Sequence, residues 1–369
     1  MLLNNVSKMG NLQSFVNMSS KDGTEKMVKP LKGQIAIVTG ASRGVGKGIA
    51  VQLGEAGATV YVTGREPSKS FSFKEKDLPS LTQTAQDHND VKKLFDRVAA
   101  EQNQKLDVLV NAAYSGTPNL MEEGGKKFYE CDPLLWDDMN NVGLRNVYIC
   151  SVHAARLMVP HKSGLIVNIS SAGGLQYFFN VAYGVGKAAV LFLKLIFPFL
   201  FLLSYEIFFA SENHMNFIAI MELQIDRMGA DMAFELKPHH VSVISLWPGT
   251  VKTEMSEKLI SSGKFSEITG LSQDFAERSL ENGETPEFAG RAVVGLASDS
   301  NVLKKSGRIQ LTGDLSREYG FVDIDGRSPA NMRSVNAALD FFGWSNTAKL
   351  VPSCFKVPSW ALHLSSYKF

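Results

Sequence analysis

The chain has 369 residues, enough for one large domain or two modest ones, and its 44% apolar content supports a sizeable core and excludes global disorder. A net charge of +1 gives no case for nucleic acid or an anionic membrane surface as the main partner. Cys131, Cys150 and Cys354 are odd in number and no pair has metal-ligand spacing, so we expect no disulfide framework, no metal and a reducing, cytoplasmic compartment.

Met1–Pro30 is polar and lacks the unbroken apolar core of a signal peptide; it reads as a disordered extension. Ile35–Gly48, IAIVTGASRGVGKG, organises the rest of the chain. Ile35–Val38 make a short buried strand, Thr39 and Gly40 end it, and Gly44, Gly46 and Gly48 open a helix running through Leu53. A strand, a glycine turn and a helix N-terminus in that order make a phosphate site. The glycines let backbone approach the ligand, and the unpaired helix N–H groups favour an anion. Gly40, Ser42, Arg43, Gly44, Val45 and Gly46 are therefore expected to bind a cofactor. Ala58–Thr63 is β-branched and alternating, a second strand, with Gly57 capping the helix before it. An acidic residue at the end of that strand would bind the ribose hydroxyls of NAD; here it is Arg65. Together with Arg43 it offers two cations to an additional phosphate, so NADP(H) is the expected cofactor and NAD(H) the alternative.

Glu66–Gln86 is polar, contains Pro67 and Pro79, and shows only fragments of a helix and no third strand. Asp90–Gln102 has an amphipathic helical pattern. Leu106–Tyr114 is a buried strand that brings Asn111-Ala112-Ala113 to the carboxyl edge, where open α/β sheets bind ligands. Asp137–Val159 reads as a helix, Gly164–Ser171 as a buried strand and Gly184–Lys194 as the start of another helix. Val190–Phe209 is about twenty residues long with only Lys194 and Glu206 charged, the length of a bilayer span, although Pro198 interrupts it. Beyond it come a helix at Gln224–Leu236, a strand at Val241–Trp247 ended by Pro248-Gly249, a polar lobe at Glu254–Asn282, a helix at Pro286–Ala297 and a short strand at Arg308–Leu311. The tail has no assigned structure.

Tyr183 and Lys187 are four apart, so on a helix they share a face. The ammonium then favours the ionised phenol and pulls its pKa from roughly 10 toward neutrality, which makes Tyr183 a candidate general acid/base for a carbonyl oxygen or an alcohol.

Thr39–Gly46 (TGASRGVG), Asn111–Tyr114 (NAAY), Ile169–Ser171 (ISS), Tyr183–Lys187 (YGVGK) and Pro248–Thr253 (PGTVKT) together resemble the classical short-chain dehydrogenase/reductases, in the family's order, from Lys32 to about Val294. The resemblance implies an α/β fold, a single Rossmann-type doubly wound parallel sheet with helices on both faces, spanning residues 31–315 with a C-terminal extension over 316–369. It also implies hydride transfer between a nicotinamide and a carbonyl. Tyr183 would protonate the oxygen, Lys187 would lower the tyrosine pKa and hold the nicotinamide ribose, and a serine would orient the carbonyl. Ser171 is the preferred serine; Ser170, thirteen residues before Tyr183, stays open. Pro248, Gly249, Val251 and Thr253 would hold the nicotinamide carboxamide, Asn111 and Ala113 the adenine ribose side, and Asp87 the adenine amine. Gly143 stands where the family's catalytic asparagine should be. Either Asn141, next to Asn140 and out of register, substitutes through a local bulge, or the proton relay is built differently. Homo-oligomers are expected by analogy.

The missing third strand and an apolar insertion at about Leu191–Ile225 depart from the pattern. The span from Lys187 to Pro248 exceeds what one crossover needs. The insertion is read as a membrane-embedded segment, as a buried helical or dimer element, or as a retained intron or misjoined exon. A membrane segment would put the protein at the endoplasmic reticulum membrane instead of free in the cytoplasm. The expected function is NAD(P)H-dependent reduction of a small-molecule ketone or aldehyde, or oxidation of the alcohol. Tyr177-Phe178-Phe179 points to a lipophilic substrate. The alternative is a catalytically impaired variant that at most binds the nucleotide.

Overall fold

The structure is a computed structural model describing residues 29–64, 88–116, 126–127, 129–171, 182, 224–341, 345–352 and 355–358. The N-terminal extension up to residue 28, the polar stretch Glu66–Gln86, the expected helix Gly184–Lys194 and the apolar run Val190–Phe209 lie outside the described residues. Among the described residues no helix is long and apolar enough to cross a membrane.

Six parallel strands form one sheet in the order β2-β1-β3-β4-β5-β6. They are β1 (Ile35–Thr39), β2 (Thr59–Val62), β3 (Val108–Asn111), β4 (Gly164–Ile169), β5 (Val241–Trp247) and β6 (Ile309–Leu311). β1, β3 and β5 are rich in Val, Ile and Leu and buried throughout, because both faces of a parallel sheet are covered. β2 is half exposed and forms one edge among the described residues. The strand expected over Leu106–Tyr114 is shorter than its apolar pattern, since pairing with β1 and β4 ends at Asn111.

Alternate strand residues divide the core. Ala36, Val38, Val108, Val110, Leu165 and Val167 pack toward α1 (Gly44–Glu55) and a late helix over Pro286–Ser298, named α9 in chain order. Ile35, Ile37, Leu109 and Ile166 pack on the opposite side against α2 (His88–Glu101), α4 (Asn146–Met158) and α5 (Gln224–Leu236). Cys150 belongs to this second layer, and burial pushes its thiol up to about 12, so it behaves as a small apolar residue.

The helix expected over Asp137–Val159 is interrupted. α3 (Leu135–Asn140) runs into a π turn at Asn141–Arg145, and α4 resumes the regular winding. The polar lobe resolves into three short helices, α6 (Glu254–Ser261), α7 (Lys264–Thr269) and α8 (Gln273–Glu281). Their ends are local chemistry: Thr253 Oγ1 accepts from the Ser256 amide at 3.1 Å, Ser272 Oγ accepts from the Phe275 amide at 3.2 Å, and Gly263 and Gly270 at φ +72° bound α7.

The C-terminal part continues from the domain. α10 (Thr312–Tyr319) runs across the expected 315/316 boundary, and Phe321 enters the core edge-on to Phe288, with ring centroids 5.2 Å apart. Asp314 receives Arg333 at 2.7 Å, and the Val335 and Val357 amides bond the Phe355 and Arg333 carbonyls at 2.8 Å. Two further helices, α11 (Val335–Phe341) and α12 (Ser345–Leu350), complete the described elements.

α1 and α9 meet without side chains between them at Gly48, where an added Cβ would lie 2.3 Å from the Pro286 carbonyl carbon. Gly48→Ala is expected to cost about 1–3 kcal/mol in urea unfolding. Gly54→Ala on the same helix, with nothing within 4 Å of its added Cβ, should instead stabilise the protein by about 0.5–1 kcal/mol.

Candidate active site

The crossover from β1 goes outward to β2 and the one from β2 returns past β1 to β3, so the carboxyl ends of β1 and β3 border a topological switch point. The glycine turn sits there. Gly40 has φ +68°, and a Cβ on it would lie 2.6 Å from Ala113 Cα; a Cβ on Gly46 would lie 2.4 Å from the Gly40 carbonyl oxygen. Thr39 locks the two strand ends. Its Oγ1 accepts from the Ala112 and Ala113 amides at 3.1 and 3.2 Å and donates to the Val110 carbonyl at 3.4 Å. Arg43 is extended at the N-cap of α1 and supplies no side-chain cap, so the first-turn N–H groups of Gly44, Val45 and Gly46 receive no acceptor from it. Backbone this close, opening onto an uncapped helix start, fits a pyrophosphate. Ser42, Arg43, Gly44 and Val45 are half-buried around that opening.

Thr39, Asn111, Asn168 and Ser245 are register partners in one row across four strands. Asn111 Nδ2 donates to Asn168 Oδ1 at 2.9 Å and to Ser151 Oγ on α4 at 3.1 Å. Asn111 is thus buried inside the sheet's polar row, and it is Ala113, half-buried, that borders the glycine turn.

At the end of β4 the two candidate serines separate. Ser170 is buried and its Oγ donates to Asp226 Oδ2 on α5 at 3.3 Å; the Trp247 indole of β5 donates to the same carboxylate at 3.1 Å. Ser171 is half-buried, one residue nearer the mouth. Beyond β5, Pro248 is buried and Gly249, Val251 and Thr253 are half-buried. This segment faces the glycine turn: a Cβ on Gly44, whose φ is +54°, would meet Thr253 Cγ2 at 3.4 Å. Glu284 lies beneath it, with the Lys252 amide donating to the Glu284 carbonyl and the Glu284 amide to the Thr250 carbonyl, both at 2.8 Å.

The π turn is the local bulge that would bring an asparagine inward, and such turns recur at functional sites. The residue turned inward is Asn140, not Asn141. Asn140 is buried and its Nδ2 donates to the Trp136 and Ala182 carbonyls at 3.1 and 3.3 Å, whereas Asn141 is exposed. Gly143 is buried under the Tyr114 ring, where an added Cβ would come within 2.9 Å of Cδ2. The Tyr114 hydroxyl donates to Met139 Sδ at 3.0 Å. Leu135, Met139, Ala182, Leu259 and Ile268 gather beside it into a separate apolar cluster at this end of the sheet.

Arg65, Asp87, Tyr183 and Lys187 lie outside the described residues. The described ones gather at the carboxyl edge, with Asn141 facing out. Sequence reasoning missed Asp226, Glu284 and Tyr114. Asp226 carried a signal, because a carboxylate on the stripe shared by Gly229, Ala233 and Leu236 faces inward; Glu284 and Tyr114 are close to the site only through the fold.

Residues 34–195 match the family described as short chain dehydrogenase. The chain is 41% identical over 356 residues to dehydrogenase/reductase SDR family member 1 of Mus musculus and 40% identical over 353 residues to that of Homo sapiens, in each case over 93% of this chain and 100% of the relative. A crystal structure of a putative gluconate dehydrogenase from Agrobacterium tumefaciens superposes with a TM-score of 0.54 at 23% identity, covering 79% of this chain and 99% of that one, a likeness of fold.

Gly143→Ala should destabilise the protein by about 1–3 kcal/mol through the Tyr114 ring. Adding Tyr114→Ala should recover part of that loss, so a double-mutant cycle read by urea unfolding gives a coupling above about 0.5 kcal/mol. Additive effects would mean the two residues do not share this space.

Proposed function

We propose, since the chain belongs to the short-chain dehydrogenase/reductase family, that it is an NADP(H)-dependent reductase of a lipophilic ketone or aldehyde, able to oxidise the alcohol in reverse. Membership makes it a nucleotide-binding, NAD(P)H-dependent oxidoreductase acting on a small molecule. The finer reading rests above all on one observation: the glycine turn and Pro248–Thr253 face each other across the carboxyl ends of the strands, with Ser171 just beyond the end of β4 between them.

Gly40, Ser42, Gly44, Val45 and Gly46 would hold the pyrophosphate with main-chain groups. Arg43, with Arg65, would take the 2′-phosphate, which supports NADP(H) over NAD(H). Ala113 would border the adenine ribose, with Asp87 assigned to the adenine amine. Pro248, Gly249, Val251 and Thr253 would hold the carboxamide. The nicotinamide, when bound, supplies the hydride. Tyr183 donates its phenolic proton to the substrate oxygen, and Lys187, four residues on, eases that loss by stabilising the phenolate. The Ser171 hydroxyl orients the carbonyl. Ser170 supports it from below, since its own hydroxyl is directed to Asp226. Asn140 bonds the carbonyl of Ala182, the residue preceding Tyr183, and so tethers that point of the chain to α3. The apolar cluster that includes Ala182 favours a lipophilic substrate.

A second reading, nucleotide binding without turnover, draws on Gly143, which offers no side chain where the family has its catalytic asparagine. One set of measurements separates the two. NADPH binding is followed by fluorescence alongside turnover of a panel of ketones and quinones. Tyr183→Phe should keep NADPH binding and lose about 10²–10⁴-fold in kcat. Ser171→Ala should lower kcat/KM by about 10²-fold. Ser170→Ala should act mainly on stability, by about 1–3 kcal/mol. Wild-type protein that binds NADPH and turns over no carbonyl would leave the second reading in place.

A further inference from the structure

Glu284 is 2% exposed, between α8 and α9. Its carboxyl has two partners among the described residues. Thr312 Oγ1 at the start of α10 donates to Oε2 at 2.7 Å, and the Gly249 amide donates to the carboxyl as well. Oε1 is buried and has no hydrogen-bond partner among the described residues. A Cβ on Gly249 would lie 3.3 Å from Oε2, so a side chain at that position would crowd the carboxyl. The main chain grips the same segment: Val251 and Glu284 form a parallel bridge, flanked by the Thr250 and Lys252 bonds. Thr253, next in the chain, caps α6 and lies beside the glycine turn, where a Cβ added to Gly44 would meet its Cγ2.

We propose that Glu284 is a positioning residue for the cofactor, holding Gly249–Lys252 from beneath in the shape that receives the nicotinamide end. The proposal rests on the reading of Pro248–Thr253 as the nicotinamide side of the site. Burial raises the Glu284 carboxyl to about 8; the Thr312 and Gly249 bonds oppose the rise and the nearby Asp323 carboxylate adds to it. The other charged groups on the packed elements have partners of their own. Asp323 accepts from the Thr285 amide and hydroxyl, Arg291 of α9 donates to the Val322 carbonyl, and Arg327 pairs with Asp325 while reaching the Gly283 carbonyl at 3.4 Å. Lys252 of the held segment lies in the field of Asp325.

The neutral acid therefore keeps the segment closed. Ionisation leaves a buried charge whose Oε1 needs water, and water reaches it only if the segment lifts. Folding stability carries the same sign. The unfolded chain loses this proton near 4.5 and the folded chain near 8, so the group's contribution to stability falls as pH rises between those values and is flat above them.

The test compares the full-length wild type with Glu284→Gln and Glu284→Leu. Dissociation constants are measured between pH 6.5 and 9 for NADPH and for 2′-phospho-ADP-ribose, which has the phosphates but no nicotinamide. In the wild type the NADPH constant should weaken about tenfold from pH 7 to 9, the equivalent of one pKa unit of coupling, while that for 2′-phospho-ADP-ribose follows only the shared phosphates. Glu284→Gln keeps the shape of the neutral acid and should hold the low-pH NADPH affinity throughout. Glu284→Leu should bind NADPH about tenfold more weakly at every pH and 2′-phospho-ADP-ribose as before. A Gln variant that tracks the wild type across the pH range overturns the proposal, even where the Leu variant fails to fold. A Leu variant that keeps its NADPH affinity, or weakens both ligands alike, also overturns it. Wild-type protein that binds neither ligand overturns the cofactor reading and this proposal with it; binding of 2′-phospho-ADP-ribose alone overturns only the nicotinamide-side assignment and what is built on it.

Discussion

The main-chain contact between the glycine turn and the end of β3 is the constraint on which the rest depends. Gly40 and Ala113 approach so closely that a methyl group would not fit between them, and Gly46 folds back over Gly40 with the same lack of room. Side chains are absent at both glycines so that backbone can meet backbone, and Thr39 satisfies the amides exposed where β3 stops. This sets the start of α1 at the switch point of the sheet. Gly48 then lets α1 lie directly on α9, which carries Glu284 at its N-terminal approach. The glycine turn and the segment after β5 are thus set relative to each other through one continuous stack of close contacts.

Behind that stack the sheet holds an unusual amount of buried polarity. Thr39, Asn111, Asn168 and Ser245 share one level, and Ser170, Asp226 and Trp247 sit just above it. Such networks specify a single arrangement when satisfied and are costly when not. Here they fix how the ends of β4 and β5 project. Ser171, the next residue along, is half-buried where Ser170 is buried. Asn168 Nδ2 has no partner among the described residues, so part of this row is held by its surroundings instead of by its own bonds.

Much of the fold was legible in the chain because parallel strands and their covering helices carry strong local patterns. The helix at Gln224–Leu236 and the strand at Val241–Trp247 stand where their patterns put them. The break at Asn141–Arg145 was not legible. A π turn leaves the residues around it helical, so periodicity sees one helix, and only the Tyr114 ring over Gly143 and the Asn140 bond to Ala182 reveal what the extra residue accomplishes. The polar lobe concealed three helices for a related reason: each is short, and its caps at Thr253 and Ser272 say more than its apolar face.

By itself the sequence determined the family, the parallel α/β architecture and the spacing of the chemical motifs, because these depend on local runs and on residues placed in order along the chain. Only the tertiary structure decided that Ser170 turns down to Asp226, that Asn140 and not Asn141 faces inward, and that an isolated glutamate before α9 supports the loop after β5. Each of those outcomes is set by partners far away in the chain, and burial and hydrogen bonding across such distances leave no periodic trace in sequence.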